Sequence, residues 1–310
     1  MKKYRLTIIA LLLSNCAFAG LFFYHSNFFY HSEEAYVNPY PLIDVSRNFV
    51  PQEDFIVNLQ PLREKLRPIY AEYGEDKISL YIEFLNTGGN ISYNEIARYY
   101  PASLIKSPVA IAAVKKIEKG EWNWDSELVL FSGDIQEQYG NLYREPIGTR
   151  FTIEKLLEEM LVNSDNTAYF ILLRNLGAGA LNDYLTEVGM TDLFDGNSNI
   201  TAKEYTRLFR ALYTSSYLER ENSQKILEFL ARAGKDRFLD KALPEDVIFA
   251  HKIGENDKQI IYADSGIVYI PNRPYVITVL FKGDGNDRKE KIEEFFEKVS
   301  RTTYEYFKNQ

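Results

Sequence analysis

Strand-forming runs stand near the two ends of this chain with a long stretch of helical pattern between them, and that order restricts the fold more than any other feature. Near the front, Ile78 to Leu85 alternates apolar with polar residues, Asn86-Thr87-Gly88-Gly89 supplies glycines for a tight turn, and Asn90 to Ile96 resumes the run, which predicts a β-hairpin. Near the end, Val247 to Ile253, Ile260 to Ile270 and Tyr275 to Lys282 are β-branched or aromatic runs separated by Asn256-Asp257 and Pro271-Asn272-Arg273-Pro274, an antiparallel meander. An isolated hairpin is barely stable in water, so the early strands must join the late ones. The expected architecture is therefore α/β of the α+β kind. An antiparallel five-stranded sheet is made from both chain ends and covered by helices at Leu62 to Tyr73 and Asp287 to Phe307, with an all-helical subdomain inserted at about 104–240. Within the insert, helices are expected at Leu104 to Lys119, from Thr152 through Leu161, and at Tyr169 to Leu176, Ala180 to Val188, Thr201 to Ser215 and Glu221 to Arg232. Pro108 would cost the first of these a backbone hydrogen bond and bend it.

The segments before this unit read differently. Lys2, Lys3 and Arg5 precede an uncharged run from Leu6 to Tyr24, the pattern of an export segment, so residues 1–24 are expected to be a signal peptide or a membrane anchor. Either the chain is cut after Ala17-Phe18-Ala19 or the apolar run continues through Leu21-Phe22-Phe23 and stays; lipidation of Cys16 is disfavoured by Leu13-Ser14-Asn15 before it. An extracytoplasmic location follows, secreted, periplasmic or tethered to the outer face of the cytoplasmic membrane. Residues 25–61, rich in Asn, Pro, Ser and aromatics without periodicity, suit a linker to a catalytic domain at 62–310. The formal charge of −8, with no basic cluster, argues against nucleic acid as a partner. A single cysteine and three histidines offer no metal-ligand spacing, so neither a metal nor another cofactor is expected, and the domain is expected to act as a monomer.

Chemistry is suggested by three short stretches. In Pro101-Ala102-Ser103-Leu104-Ile105-Lys106, a serine and a lysine stand three residues apart at the start of an apolar helix, where the amine can reach the hydroxyl. Serine is a weak nucleophile without an adjacent base, and lysine is a base only when desolvation or a second cation lowers its pKa. Asn163-Ser164-Asp165-Asn166 interrupts two apolar helices with polar groups that burial would penalise unless they are satisfied or used. Ala250-His251-Lys252-Ile253-Gly254 puts a candidate second cation on a buried strand, followed by a glycine that would let a ligand approach the backbone. Taken singly, these also read as a helix cap with a solvated lysine, a turn between helices and an ordinary strand.

Together and in this order, Ser103-x-x-Lys106, Ser164-Asp165-Asn166 and Lys252-Ile253-Gly254 resemble the penicillin-recognising serine enzymes, most closely the class A β-lactamases, over roughly Lys77 to Phe307. The resemblance implies a β-lactamase/transpeptidase-like fold and a serine hydrolase acting on β-lactams or similar amides through an acyl-enzyme. Ser103 would be the nucleophile, with Lys106 its base or part of the proton path. Ser164 would pass a proton to the leaving nitrogen, Asn166 would hold the substrate amide, and Lys252 would depress the Lys106 pKa and attract a substrate carboxylate. The oxyanion hole would be the backbone N–H groups of Ser103 and Glu255. Two departures stand out. Ile253 replaces the usual hydroxyl residue, which removes a hydrogen bond to the substrate carboxylate. The glutamate of the family's Glu-x-x-Leu-Asn loop is missing, since residues 188–201 hold no glutamate. Deacylation is therefore expected to be slow, and Asp192 or Asp195 is not expected to stand in. Tyr139-Gly140-Asn141, ahead of the Ser-Asp-Asn stretch, is read as a coincidental match to a related motif, and His251 as a strand residue with a satisfied imidazole. The alternatives are a D,D-carboxypeptidase or transpeptidase acting on peptidoglycan peptides, and a non-catalytic cell-wall binding protein.

Overall fold

A computed structural model describes Asn15, residues 38–44 and residues 57–310 apart from 191, 192 and 194–198. The chain divides into two units, Met1–Pro39 and Tyr40–Gln310. Of the first, Asn15, helical and exposed, and Asn38-Pro39 are described; the export segment expected at 1–24 otherwise lies outside the described residues. Among the described residues no helix is long and apolar enough to cross a membrane.

The second unit opens with α1 (Gln60–Tyr73), which buries Leu62, Leu66, Tyr70 and Tyr73 at helical spacing, and continues through β1 (Ile78–Phe84) and β2 (Asn90–Tyr93). The 3-10 turn Ala102–Ile105 runs into α2 (Lys106–Glu118). Pro108 falls in the first turn of α2, where the backbone N–H groups have no helical partner, so it removes nothing from the helix. The insert then holds β3 (Glu127–Val129), β4 (Arg150–Thr152), α3 (Ile153–Val162), α4 (Asn166–Leu176), α5 (Ala178–Glu187), α6 (Ala202–Tyr213) and α7 (Arg220–Leu230). It is not wholly helical, because β3 and β4 pair in a small antiparallel ribbon. Thr152 caps α3 through Lys155, and Thr201 with Glu204 forms a capping box on α6. The chain ends in β5 (Ile248–Asn256), β6 (Ile261–Tyr269), β7 (Tyr275–Lys282) and α8 (Lys289–Lys308).

The sheet runs β2-β1-β7-β6-β5, antiparallel throughout. The two ends of the chain join where β1 pairs β7, from Ile78 opposite Phe281 to Phe84 opposite Tyr275. One face is covered by α1 and α8, whose Phe295, Phe296 and Val299 pack with Phe249, Phe281 and Ile253 of the sheet. Helices of the insert cover the other, where Ala250, Ala263 and Leu280 meet Leu208 and Leu104. β1 and β6 are buried along nearly their whole length because both faces are covered. That leaves β5 as the edge strand against which the 3-10 turn packs.

Candidate active site

Ser103 rides on the 3-10 turn, not on the α-helix, and three contacts fix that turn. Tyr205 donates its hydroxyl to the Leu104 carbonyl at 2.8 Å, Tyr99 forms a two-hydrogen-bond bridge with Ile200, and Gly254 of β5 presses against the turn from the sheet side. A Cβ added to Gly254 would stand 2.6 Å from the Pro101 carbonyl oxygen and 3.1 Å from Leu104 Cγ. This glycine, expected to let a ligand approach the backbone, gives room to the turn that carries the serine. Ala102, next to Ser103, has φ of +46°, a left-handed setting that costs a residue with a Cβ roughly 1–2 kcal/mol. Tyr139 and Ser164 share that conformation, at +58° and +54°. Backbone strain of this kind thus stands on three of the segments that build the site, beside further positions elsewhere in the fold.

Lys106 is 2% exposed. Its Nζ lies 3.3 Å from Ser103 Oγ, 3.0 Å from Ser164 Oγ and 2.6 Å from Asn166 Oδ1, and it also donates to the Ser164 carbonyl. Burial holds its pKa well below the ordinary lysine range and the nearby Lys252 charge adds to this, against the opposing carboxylate of Asp165. A neutral amine has two N–H donors and one lone pair. The Ser164 and Asn166 carbonyl-type oxygens can only accept, so they take the donors, and the lone pair is left for a hydroxyl proton.

Ser164 and Asn166 are held by Asp165 between them. Its buried carboxylate caps α4 by accepting from Ala168 N–H at 2.8 Å, and accepts from the N–H groups of Asn141 and Leu142 at 2.7 and 2.9 Å. Asn166 donates its Nδ2 to the Gln138 carbonyl at 2.7 Å, and its backbone N–H meets the Tyr139 carbonyl at 3.3 Å. Gly140 makes this latch possible: its φ is +83°, and a Cβ there would sit 2.0 Å from the Asp165 carboxylate. Tyr139-Gly140-Asn141, read from the sequence as a coincidental motif match, borders the site all the same, Tyr139 by lining the cleft and Asn141 through its backbone N–H.

On β5, Lys252 is buried and its pKa is pushed down to about 8, first by burial, with Asp264 opposing and Arg237 adding. Strand alternation turns its neighbours His251 and Ile253 to the opposite face. Ile253 packs in the core beneath α1 and α8, so its side chain does not reach the cleft, contrary to its expected place among substrate-binding residues. His251 has both ring nitrogens engaged, Nδ1 at 2.8 Å from Asp264 Oδ1 and Nε2 at 2.9 Å from the Ala233 carbonyl, as expected of a satisfied strand histidine. A carbonyl only accepts, so Nε2 carries a hydrogen.

A cleft of about 780 Å³ opens beside the serine, and Lys252, Ile253 and Gly254 are not among the residues that line it. Ser103, Lys106, Asn166 and Glu255, all expected site residues, line it, while Ser164 reaches it through Lys106. Sequence reasoning missed the aromatic wall of Tyr100, Tyr139, Tyr169 and Phe170 and the charged rim at Asp257 and Lys258. Asp192 and Asp195 lie outside the described residues. Among the described residues no cluster of His, Cys, Asp or Glu could hold a metal ion.

The comparisons with known proteins agree with this geometry. The sequence model of the Beta-lactamase enzyme family matches residues 61–307. The chain is 23% identical over 258 residues to Beta-lactamase VEB-1 of Pseudomonas aeruginosa, covering 75% of this chain and 86% of that protein. Among solved structures, PBP-A superposes with a TM-score of 0.72 at 23% identity, over 81% of this chain and 97% of its own. A β-lactamase from Sphaerobacter thermophilus does so with a TM-score of 0.72 at 22% identity, over 82% and 99%. At these identities the structural likeness is one of fold.

Proposed function

Because the chain belongs to the beta-lactamase enzyme family and is a serine hydrolase of that kind, we propose that it acylates Ser103 with β-lactams or related amides and releases the acyl group slowly. The carrying observation is the buried Lys106 amine, within 3.3 Å of Ser103 Oγ and 3.0 Å of Ser164 Oγ. As Ser103 Oγ bonds to the carbonyl carbon, its proton passes to Lys106 Nζ. The amide C–N bond then breaks, and the leaving nitrogen takes a proton from Ser164, which is resupplied by Lys106. Charge developing on the carbonyl oxygen is met by the N–H groups of Ser103 and Glu255, donors of a kind that contribute about 2.7–4 kcal/mol each. Asn166 orients the amide, and protonated Lys252 keeps the Lys106 proton labile.

Slow release is supported by what borders the serine. Ile105, Tyr169, Phe170 and Leu173 form an apolar wall on which a water would find few of the two to four polar partners it needs. Of the carboxylates lining the cleft among the described residues, Glu255 is held by Arg237 and Lys289, and Asp257 by Tyr262 and Lys289. Neither is free to activate water. A mutant of PBP-A, at 24% identity, was itself solved as an acyl-enzyme complex with penicillin G. Intact-protein mass spectrometry after incubation with benzylpenicillin should show a persistent adduct that Ser103→Ala abolishes. Absence of an adduct across penicillins, cephalosporins and acyl-D-Ala-D-Ala peptides would sink the reading. Lys2, Lys3, Arg5 and the uncharged run to Tyr24 support export, with residues 1–24 a signal peptide or anchor; N-terminal sequencing of protein recovered outside the cytoplasm tells the two apart.

A further inference from the structure

Beside the cleft, at the end of β5, stands a closed set of charges. Glu255, the residue after Gly254, lies in the cleft wall with its side chain only 7% exposed. Arg237, from the connection between α7 and β5, donates Nη2 to Glu255 Oε2 at 2.6 Å, and Lys289, the first residue of α8, donates to Oε1. Lys289 also reaches Asp257 Oδ1 at 3.3 Å, and Asp257 accepts from the Tyr262 hydroxyl at 2.8 Å. A cation at a helix N-terminus opposes the helix dipole, so Lys289 depends on these carboxylates to stay where it is. Burial works against its charge, and the Glu255 hydrogen bond and charge outweigh that, raising its pKa. The four charges sum to zero, and each oxygen of the Glu255 carboxylate already has its own cation.

We propose that Glu255 is a specificity-determining residue: its carboxylate neutralises the two cations that stand behind the cleft wall, Arg237 and Lys289, so a carboxylate at that end of an acyl donor gains no advantage over an uncharged group there. This inference rests on the acyl-enzyme reading above. A substrate carboxylate drawn towards Arg237 and Lys289 would compete with one already tethered to both. The tethered group competes at an effective concentration on the order of millimolar or higher, and it pays no translational entropy. Ordinary β-lactams carry such a carboxylate beside the scissile bond, so their advantage over neutral analogues should vanish in this site.

The test compares benzylpenicillin with its methyl ester, measuring the second-order rate of adduct formation on the native chain and on Glu255→Gln by intact mass. The native chain should acylate with acid and ester at rates within about 3-fold of each other. In Glu255→Gln, which frees the two cations while keeping the side-chain shape, the acid-to-ester ratio should rise by about 10-fold or more. A native ratio above about 30 in favour of the acid overturns the inference, as does a ratio that Glu255→Gln leaves unchanged. The native ratio is read without any variant, so misfolding of Glu255→Gln would not remove the criterion. No adduct with either compound overturns the acyl-enzyme reading and this inference together, whereas adducts in the wrong ratio overturn this inference alone.

Discussion

At the scale of single residues, the two lysines pull stability and reactivity in opposite directions. Lys252 has a folded pKa of about 8, below the ordinary lysine value of 10.5, so the unfolded chain binds the extra proton between those values. Stability therefore rises as pH climbs through that window, and below it the fold carries the full cost of a buried charge, up to about 3 kcal/mol at about 1.4 per pKa unit. Acylation should move the other way, falling above about pH 8 as Lys252 loses the charge that helps the Lys106 ammonium pass its proton on to Ser164, while burial still holds the Lys106 pKa down. Lys252→Met is expected to raise stability at pH 7 by about 1–3 kcal/mol and to flatten its rise towards pH 10, while slowing acylation by about 100-fold. Urea unfolding at pH 7 and pH 9.5, beside adduct formation rates, checks both halves. The convergence of Ser103, Lys106 and Ser164 was legible in the sequence through the order of the short motifs that hold them, and the burial of Lys252 through its place on an apolar strand. The orientation of Ile253 follows from strand alternation, which sets it opposite to Lys252 whatever its place in the motif.

At the scale of elements, two glycines decide how the pieces dock. Gly254→Ala would drive a methyl to within 2.6 Å of the Pro101 carbonyl and lift the 3-10 turn from β5. Because catalysis depends on placement within a fraction of an ångström, a drop of about 100-fold in the acylation rate is expected, with a loss of stability of only about 1–3 kcal/mol. Adduct kinetics and a thermal melt on the same sample separate the two. Gly140→Ala meets both a left-handed backbone and the Asp165 carboxylate, so it should cost more, about 2–4 kcal/mol, and loosen Asn166 from Lys106. A melting temperature unchanged by Gly140→Ala would count against the latch. Element types were largely readable from periodicity, whereas the start of α2 was not. Ser103 to Ile105 has the same apolar pattern whether it winds as α or 3-10, and only contact with β5 and Tyr205 selects the tighter turn.

At the scale of the molecule, the joining of both chain ends in one sheet could be inferred because a lone hairpin cannot bury its faces, and that argument needs no knowledge of distant contacts. The stretch before α1 resisted it. Residues 25–61 read as a linker, yet Tyr40 to Asp44 belongs to the folded unit. Leu42 and Ile43 are buried in the core of the insert, Leu42 N–H donates to Gln224 Oε1 at 2.9 Å, the Tyr269 hydroxyl donates to the Leu42 carbonyl at 2.9 Å, and Asp44 N–H donates to the Tyr213 carbonyl at 3.0 Å. Five residues with no periodicity carry no signal of burial, since the partners that satisfy them lie more than 150 positions away. The consequence is that this strap ties α6, α7 and β6 together through residues none of which lines the cleft. Leu42→Ala should then cost about 2–5 kcal/mol, the usual range for emptying a buried leucine site, while leaving the rate of Ser103 acylation below the melting transition within about 2-fold. If the stretch were a mere spacer, the substitution would shift the urea midpoint by less than experimental error; a large shift accompanied by lost acylation would instead mean that the strap shapes the cleft as well as the core.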